Sequence, residues 1–244
     1  MPPRQPKKRA DLLLAERGLA ESREQAQALI MAGIVFTPAG PVSKPGTPLS
    51  QDTPLEVRGR LPYVSRGGVK LAHALDQFGL SVTDMVALDV GASTGGFTDC
   101  LLQRGARKVY AVDVGHGQLS HKLRQDHRVV VMEKLNARYP FPLPEPVDIV
   151  TVDVSFISLT MVLPSALQHL KELGYVAALV KPQFEASPKD VGRGGVVKDP
   201  KVHSQVLGKV VLWAVEHKVR VRNICPSPIL GDAGNREFFL LLQK

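Results

Sequence analysis

Val86-Ala87-Leu88-Asp89-Val90-Gly91-Ala92-Ser93-Thr94-Gly95-Gly96-Phe97 decides the fold of this 244-residue chain. An apolar run ends in an acidic residue, a turn of glycine and small polar residues follows, and Phe97-Thr98-Asp99-Cys100-Leu101-Leu102 then spaces its apolar side chains as a helix does. The pattern predicts a strand, a tight turn and a helix start, the arrangement with which open α/β sheets hold a nucleotide-like ligand at the carboxyl ends of their strands. A glycine-rich turn also serves as a plain connection, because Gly takes φ > 0 without steric cost. The segments on either side decide between the two uses.

Downstream, Lys108-Val109-Tyr110-Ala111-Val112-Asp113 predicts a second strand that also ends in an acidic residue. Asp113 lies 24 positions after Asp89, close to the spacing at which a carboxylate after the second strand of a βαβ unit binds ribose hydroxyls. Further strands are expected at 129–133, 147–153 and 175–181, with a helix from Leu159 to Glu172 between the last two. A helix from about Lys201 to His217 then leads to strands at 219–224 and 237–242. The short connection around Gly231 to Asn235 makes those two antiparallel. The fold class expected is therefore α/β: a mostly parallel seven-stranded sheet with an antiparallel last strand, covered by helices on both faces.

Upstream, residues 1–7 read as a disordered basic tail, rich in Pro. Ala10 to Leu19 predicts a short helix closed by Gly18, and Ser22 caps a second that runs to Ala32 and stops at Gly33. Ile34-Val35-Phe36 follows, then a stretch rich in Pro and Gly from Thr37 to Thr53, then a short strand at Leu55-Glu56-Val57. Residues 8–58 form one module, 59–63 a linker and 64–244 the α/β domain. That domain opens with a helix carrying Leu71, Ala74, Leu75 and Phe78 on one face. Lys70 sits in its first turn, where a cation gains nothing from the helix dipole, and this mismatch hints at a functional reason.

The 31 Lys and Arg against 23 Asp and Glu give a formal charge of +8, with basic residues dense near the start, so a polyanionic partner fits the balance. Only Cys100 and Cys225 occur, which argues against a disulfide framework or a cysteine-rich metal site. The apolar runs are short and no apolar stretch follows the basic N-terminus, so a cytoplasmic chain without stable membrane association is expected.

Two resemblances follow from these residues. Leu14, Gly18, Leu19, Ser22, Arg23, Ala26, Leu29, Ile30, Gly33 and Val35 resemble the S4 RNA-binding module, although Thr37-Pro38-Ala39-Gly40 stands where that family often has a hairpin ending in Asn-Gly. The remainder resembles the TlyA family of S-adenosylmethionine-dependent ribosomal RNA 2'-O-methyltransferases, relatives of the FtsJ type. The matching segments are 63–68, 88–98, 109–115, 153–159, 180–185 and 234–238, in the family's order.

The resemblance implies a catalytic tetrad of Lys70, Asp153, Lys181 and Glu237. The chemistry fits, because a ribose hydroxyl must lose its proton as it attacks a sulfonium methyl group, and a lysine in a crowded cationic site serves as base. Lys181, after a long apolar strand, is the better candidate for that base. S-adenosylmethionine is the expected cofactor, held by Asp89, Gly91, Ser93, Thr94, Gly95, Gly96, Phe97, Asp113 and Asn136; Asp89 acts indirectly through the turn, and Asn136 reads equally as a turn former. Arg9, Arg17, Arg23, Lys44, Arg66 and Arg193 are expected to face RNA, contributing phosphate contacts and shape readout. No metal is expected. The partner is ribosomal RNA or a ribosomal subunit, the target a cytidine of 23S RNA with 16S left open, and the chain acts as a monomer.

Other chemistries fit less well. A base C5-methyltransferase needs an attacking cysteine, and Cys225-Pro226 lies outside the strand that carries it; exocyclic-amine enzymes want Asn/Asp-Pro-Pro-aromatic where this chain has Asp153-Val154-Ser155-Phe156. No histidine stands in a context that suits a dehydrogenase. A membrane-active haemolysin and a non-catalytic RNA-binding assembly factor remain as alternatives from other classes.

Overall fold

The computed structural model describes residues 7–244 except 21, 32, 60, 61 and 232, together with all side chains of those residues save Glu24 and Met31. The expected tail at 1–6 and the middle of the expected linker lie outside the described residues. The chain divides into two compact units, residues 1–66 and 67–244.

In the first unit, β1 (Lys7–Arg9) leads into α1 (Ala10–Glu16), α2 (Arg23–Met31), β2 (Val35–Thr37), β3 (Gly40–Pro41), β4 (Pro48–Ser50) and β5 (Glu56–Val57). Ala10, Leu14, Ala26, Leu29, Ile30, Val35 and Val42 form its core. Both helices end as their glycines predict, with Gly18 and Gly33 at φ 67° and 72°. One expectation needs correction. Lys7 belongs to a strand rather than to a tail, because its backbone pairs with Ser50 across β1 and β4. The Pro- and Gly-rich stretch from Thr37 holds a hairpin even without Asn-Gly: β2 and β3 pair, Gly40 supplies φ 122° and the Thr37 hydroxyl accepts from Ala39 N and donates to Gly40 O.

The second unit begins with α3 (Arg66–Phe78), whose buried face is Leu71, Ala74 and Leu75. It continues through β6 (Val86–Val90), α4 (Gly96–Gln103), β7 (Lys108–Val112), α5 (His121–Arg124), β8 (Val129–Met132), β9 (Val147–Val152), α6 (Leu159–Leu167), β10 (Leu170–Val180), α7 (Pro182–Glu185), α8 (Pro200–Glu216), β11 (Arg220–Pro226) and β12 (Phe238–Gln243). The seven-stranded sheet has the order β11-β12-β10-β9-β6-β7-β8. Neighbours among β10, β9, β6, β7 and β8 are parallel, while β12 runs antiparallel to both β10 and β11. The last strand therefore inserts into the sheet instead of extending its edge.

The helix expected from Leu159 to Glu172 stops at Leu167, and β10 begins five residues earlier than the apolar run suggested, at Leu170 rather than Tyr175. Leu170 already pairs with Val147, and a register shift before Tyr175, with Leu173 at φ 62°, absorbs the polar residues between. β-Branched and small apolar residues fill the central strands, so β6 is buried throughout. That rigid centre fixes where the loops leave the sheet.

Candidate active site

Strand register assembles the site. Val90 pairs with Val152, and Ala178 with Val152, so Gly91 and Asp153 leave the sheet side by side at the carboxyl ends of β6 and β9. Asp153 N donates to Val90 O at 2.9 Å. Lys181 leaves the same end of β10, and since Val180 pairs with Phe238 in the antiparallel partner, Glu237 enters β12 beside it. The inserted last strand thus delivers a residue from its beginning to the edge where the parallel strands end.

Two ion pairs stand at this edge. Lys70, the fifth residue of α3 and so one turn further in than expected, reaches Glu237, Nζ to Oε2 2.6 Å, with both groups buried. Lys181 Nζ lies 2.6 Å from Asp153 Oδ1 and donates to Ser155 Oγ at 2.9 Å. The Asp153 contact is an ion pair off the hydrogen-bonding direction, since Oδ1 accepts no aligned bond. All four tetrad candidates therefore end in one place, in pairs. Ser155 escaped the sequence reading, because it reaches Lys181 from a bend beyond the end of β9 that no strand periodicity marks. Phe184 flanks Lys181, its ring 6.0 Å from Nζ and 4.9 Å from the exposed ring of Phe156.

The glycine turn packs tightly at the same edge, with no room for a side chain at Gly91 or Gly95. Gly91 has φ 84°, and a Cβ there would overlap the carbonyl oxygen of Asp153. Gly95 has φ 97°, and a Cβ would overlap Leu123. Gly91→Ala is accordingly expected to lower the stability of this unit by more than about 2 kcal/mol, from left-handed strain plus the clash, and to displace Asp153. Denaturant unfolding followed by circular dichroism checks this; wild-type stability would contradict the packing described.

Asp113 follows β7 and organises the turn: Ser93 N donates to its Oδ2 at 2.8 Å and Gly115 N to its Oδ1 at 2.7 Å. Each oxygen keeps a further lone pair for a ligand hydroxyl. Ser93, at φ 48°, is exposed and donates its hydroxyl to Gln118 Oε1 at 3.3 Å. Thr94 is engaged through its carbonyl, which accepts from Ser120 N, and Gly96 opens α4.

Three further expected cofactor residues have their side chains engaged within the chain, Asp89 in the indirect role expected of it. Phe97 turns into the core, stacked 5.9 Å from Phe239, because the first turn of α4 packs against β12. Asn136 is exposed and its Oδ1 accepts from Arg138 N, the bond of a local turn. Asp89 is fully buried, accepting from Thr98 Oγ1 at 2.6 Å and Thr151 Oγ1 at 2.9 Å, so it ties β6 to α4 and β9 from beneath the turn.

Burial pushes the Asp89 carboxyl from its ordinary value of 3.8 up to about 6, against the pull of the two hydroxyls. The folded chain then holds a proton that the unfolded chain has already released. Through this group stability falls as the pH rises from the ordinary carboxylate value to about 6. Asp89→Asn is expected to flatten that part of the pH–stability curve in denaturant titrations. An unchanged slope would contradict the burial described. Burial likewise holds the Cys225 thiol up near 11, which suits a core residue and not an attacking thiolate.

Of the basic residues, Arg9 and Arg23 both pair with the buried Asp11, at 2.8 and 3.1 Å, and Arg17 donates to the carbonyls of Thr53 and Gln51. Each spends part of its guanidinium on holding the first unit. Lys44 and Arg193 are exposed, and Arg66 is partly buried. Among the described residues, no group of three or more His, Cys, Asp or Glu is placed to hold a metal ion, and no helix is long and apolar enough to cross a membrane.

Comparison with known proteins agrees with this geometry. Residues 63–244 match the family of FtsJ-like methyltransferases. The 16S/23S rRNA (cytidine-2'-O)-methyltransferase TlyA of Mycobacterium tuberculosis is 46% identical over 242 residues, covering 96% of this chain and 89% of that protein. Hemolysin A of Brachyspira hyodysenteriae is 41% identical over 236 residues, covering 94% and 97%. A solved structure of a hemolysin-named protein from Streptococcus thermophilus is 48% identical with a TM-score of 0.77, covering 98% of this chain and 89% of that one. With a match across the whole α/β unit and relatives of this identity along nearly the full chain, the protein belongs to the FtsJ-like methyltransferase family, in its TlyA branch.

Proposed function

We propose that the chain transfers a methyl group from S-adenosylmethionine to the ribose 2'-hydroxyl of a cytidine in ribosomal RNA. The observation that carries this reading is the pairing of Lys181 with Asp153 and Lys70 with Glu237 at one sheet edge, beside a turn with no room for a side chain at Gly91 or Gly95. The name of the M. tuberculosis relative supplies the substrate class. When bound, S-adenosylmethionine supplies an electrophilic methyl carbon on a sulfonium. Asp113 would accept from its ribose hydroxyls and the backbone of Gly91 to Gly95 would line its methionine part.

The chain's own work is then proton handling and alignment. Lys181 would take the 2'-hydroxyl proton as the ribose oxygen bonds to the methyl carbon and the bond from that carbon to sulfur breaks, the cofactor leaving as a neutral thioether. Asp153 and Ser155 fix the direction of Nζ, and Glu237 with Lys70 orients the hydroxyl. Much of the acceleration comes from holding the reacting atoms on one line. The first unit, read as an S4 module, grips RNA through its exposed basic residues, among them Lys44, with 23S RNA the primary target and 16S a second. The chain works in the cytoplasm, as a monomer and without a metal.

Product identity tests this reading. After incubation of ribosomal RNA with methyl-labelled cofactor and digestion to nucleosides, label in 2'-O-methylcytidine is expected, and label in a base-methylated nucleoside would overturn it.

A further inference from the structure

The turn before β12 and the loop Gly192 to Val197 meet through one side chain. Asn235 is fully buried; its Nδ2 donates to Gly195 O at 2.8 Å and its Oδ1 accepts from Val197 N at 2.8 Å. Val197 O in turn lies 3.0 Å from His203 Nε2 on α8. The loop is folded on itself by Gly192 N to Val196 O at 3.1 Å and Gly195 N to Gly192 O at 3.0 Å. On the other side, Asn235 O accepts from Gly231 N at 2.9 Å, and a Cβ on Gly231 would overlap Glu237 Oε1. The carboxylate therefore sits in a cradle whose walls are set by the Asn235 turn.

We infer that Asn235 is a positioning residue for methyl transfer: its carboxamide locks the loop at 192–197 to the segment that leads into β12 and thereby holds Glu237 against Lys70. This rests on the reading that Glu237 and Lys70 orient the ribose hydroxyl. Beyond Glu237 the backbone is fixed by the ladder to β10 and by Ser227 N donating to Glu237 O at 2.8 Å. Before Glu237, the restraint is the Asn235 turn and its grip on the loop. Only a side chain that donates and accepts satisfies Gly195 O and Val197 N together; a truncated one leaves buried backbone groups without partners. The same loop exposes Arg193, so a loosened loop is open to cleavage there.

The test uses the full chain, methyl-labelled S-adenosylmethionine and separated ribosomal subunits. Asn235→Ala is expected to lower kcat about 10- to 100-fold, as a small misplacement of an aligning group does. Cofactor affinity by calorimetry is expected to stay unchanged, and trypsin cleavage after Arg193 to accelerate about tenfold. Asn235→Asp keeps the acceptor for Val197 N, loses the donor to Gly195 O and is expected to fall between; it carries the test if Asn235→Ala does not fold. Under single-turnover conditions the double variant with Glu237→Ala is expected to be no slower than Glu237→Ala alone, whereas a merely structural role makes the losses multiply. Multiplying losses, wild-type kcat in the Asn235 variants or unchanged cleavage after Arg193 would overturn the inference while Glu237→Ala stays impaired. Wild-type transfer by Glu237→Ala itself would instead remove the tetrad reading, and the inference with it.

Discussion

Lys181→Ala is expected to lower methyl transfer by about a thousandfold or more while leaving cofactor affinity unchanged. The size follows from two losses at once: the proton acceptor, worth about 10²–10⁴ in such reactions, and the alignment that its Nζ shares with Asp153 and Ser155. Cofactor binding is spared because Asp113 and the glycine turn belong to β6, β7 and the segments that follow them, whereas Lys181 bonds to Ser155 and pairs with Asp153. A Lys181→Arg variant, whose guanidinium cannot take up a proton, is expected to remain inactive. Single-turnover transfer with calorimetry on the same samples checks all three. A Lys181→Ala chain that retains even a tenth of the wild-type rate would assign the proton to another group.

Asp113→Ala is expected to weaken S-adenosylmethionine binding about 100-fold or more. Its carboxylate would accept two ligand hydroxyls, each a charge-assisted bond of about 1.5–3 kcal/mol. It also holds the amides of Ser93 and Gly115, so the turn loosens with it. Asp113→Asn separates the two effects: one amide oxygen still accepts a backbone N–H, but the charge is gone, and an intermediate loss is expected. Calorimetry gives the affinity directly. Wild-type affinity in Asp113→Ala would move the ribose site elsewhere.

Much of this site was readable from local pattern. Strand, glycine turn and helix start announced themselves in Val86 to Leu102, and the register of the sheet then placed Asp153, Lys181 and Glu237 where the segment order implied. What failed was local in a different sense. Phe97 sits next to the glycine turn in sequence, yet a residue in the first turn of a helix points where the helix packs, here onto Phe239. Leu170 to Glu172 carries helical spacing, but pairing of Leu170 with Val147 outweighs propensity and begins the strand early. That Arg9, Arg17 and Arg23 also hold their own unit together was not legible, because the buried acceptor Asp11 and the carbonyls of Gln51 and Thr53 reveal themselves only once the chain is folded. Ser155, Gly231 and Asn235 were missed because each acts through a neighbour, and no spacing rule marks a residue whose role is to hold another.

The central claim is transfer to a ribose hydroxyl in ribosomal RNA by the groups at this sheet edge. The most direct measurement incubates wild-type and Lys181→Ala chains with separated subunits and methyl-labelled S-adenosylmethionine, and maps ribose methylation along 23S and 16S RNA. The account predicts 2'-O-methylation at a discrete cytidine with the wild-type chain and none above background with the variant. Absence of transfer to either subunit or its RNA, or equal transfer by the variant, would contradict it.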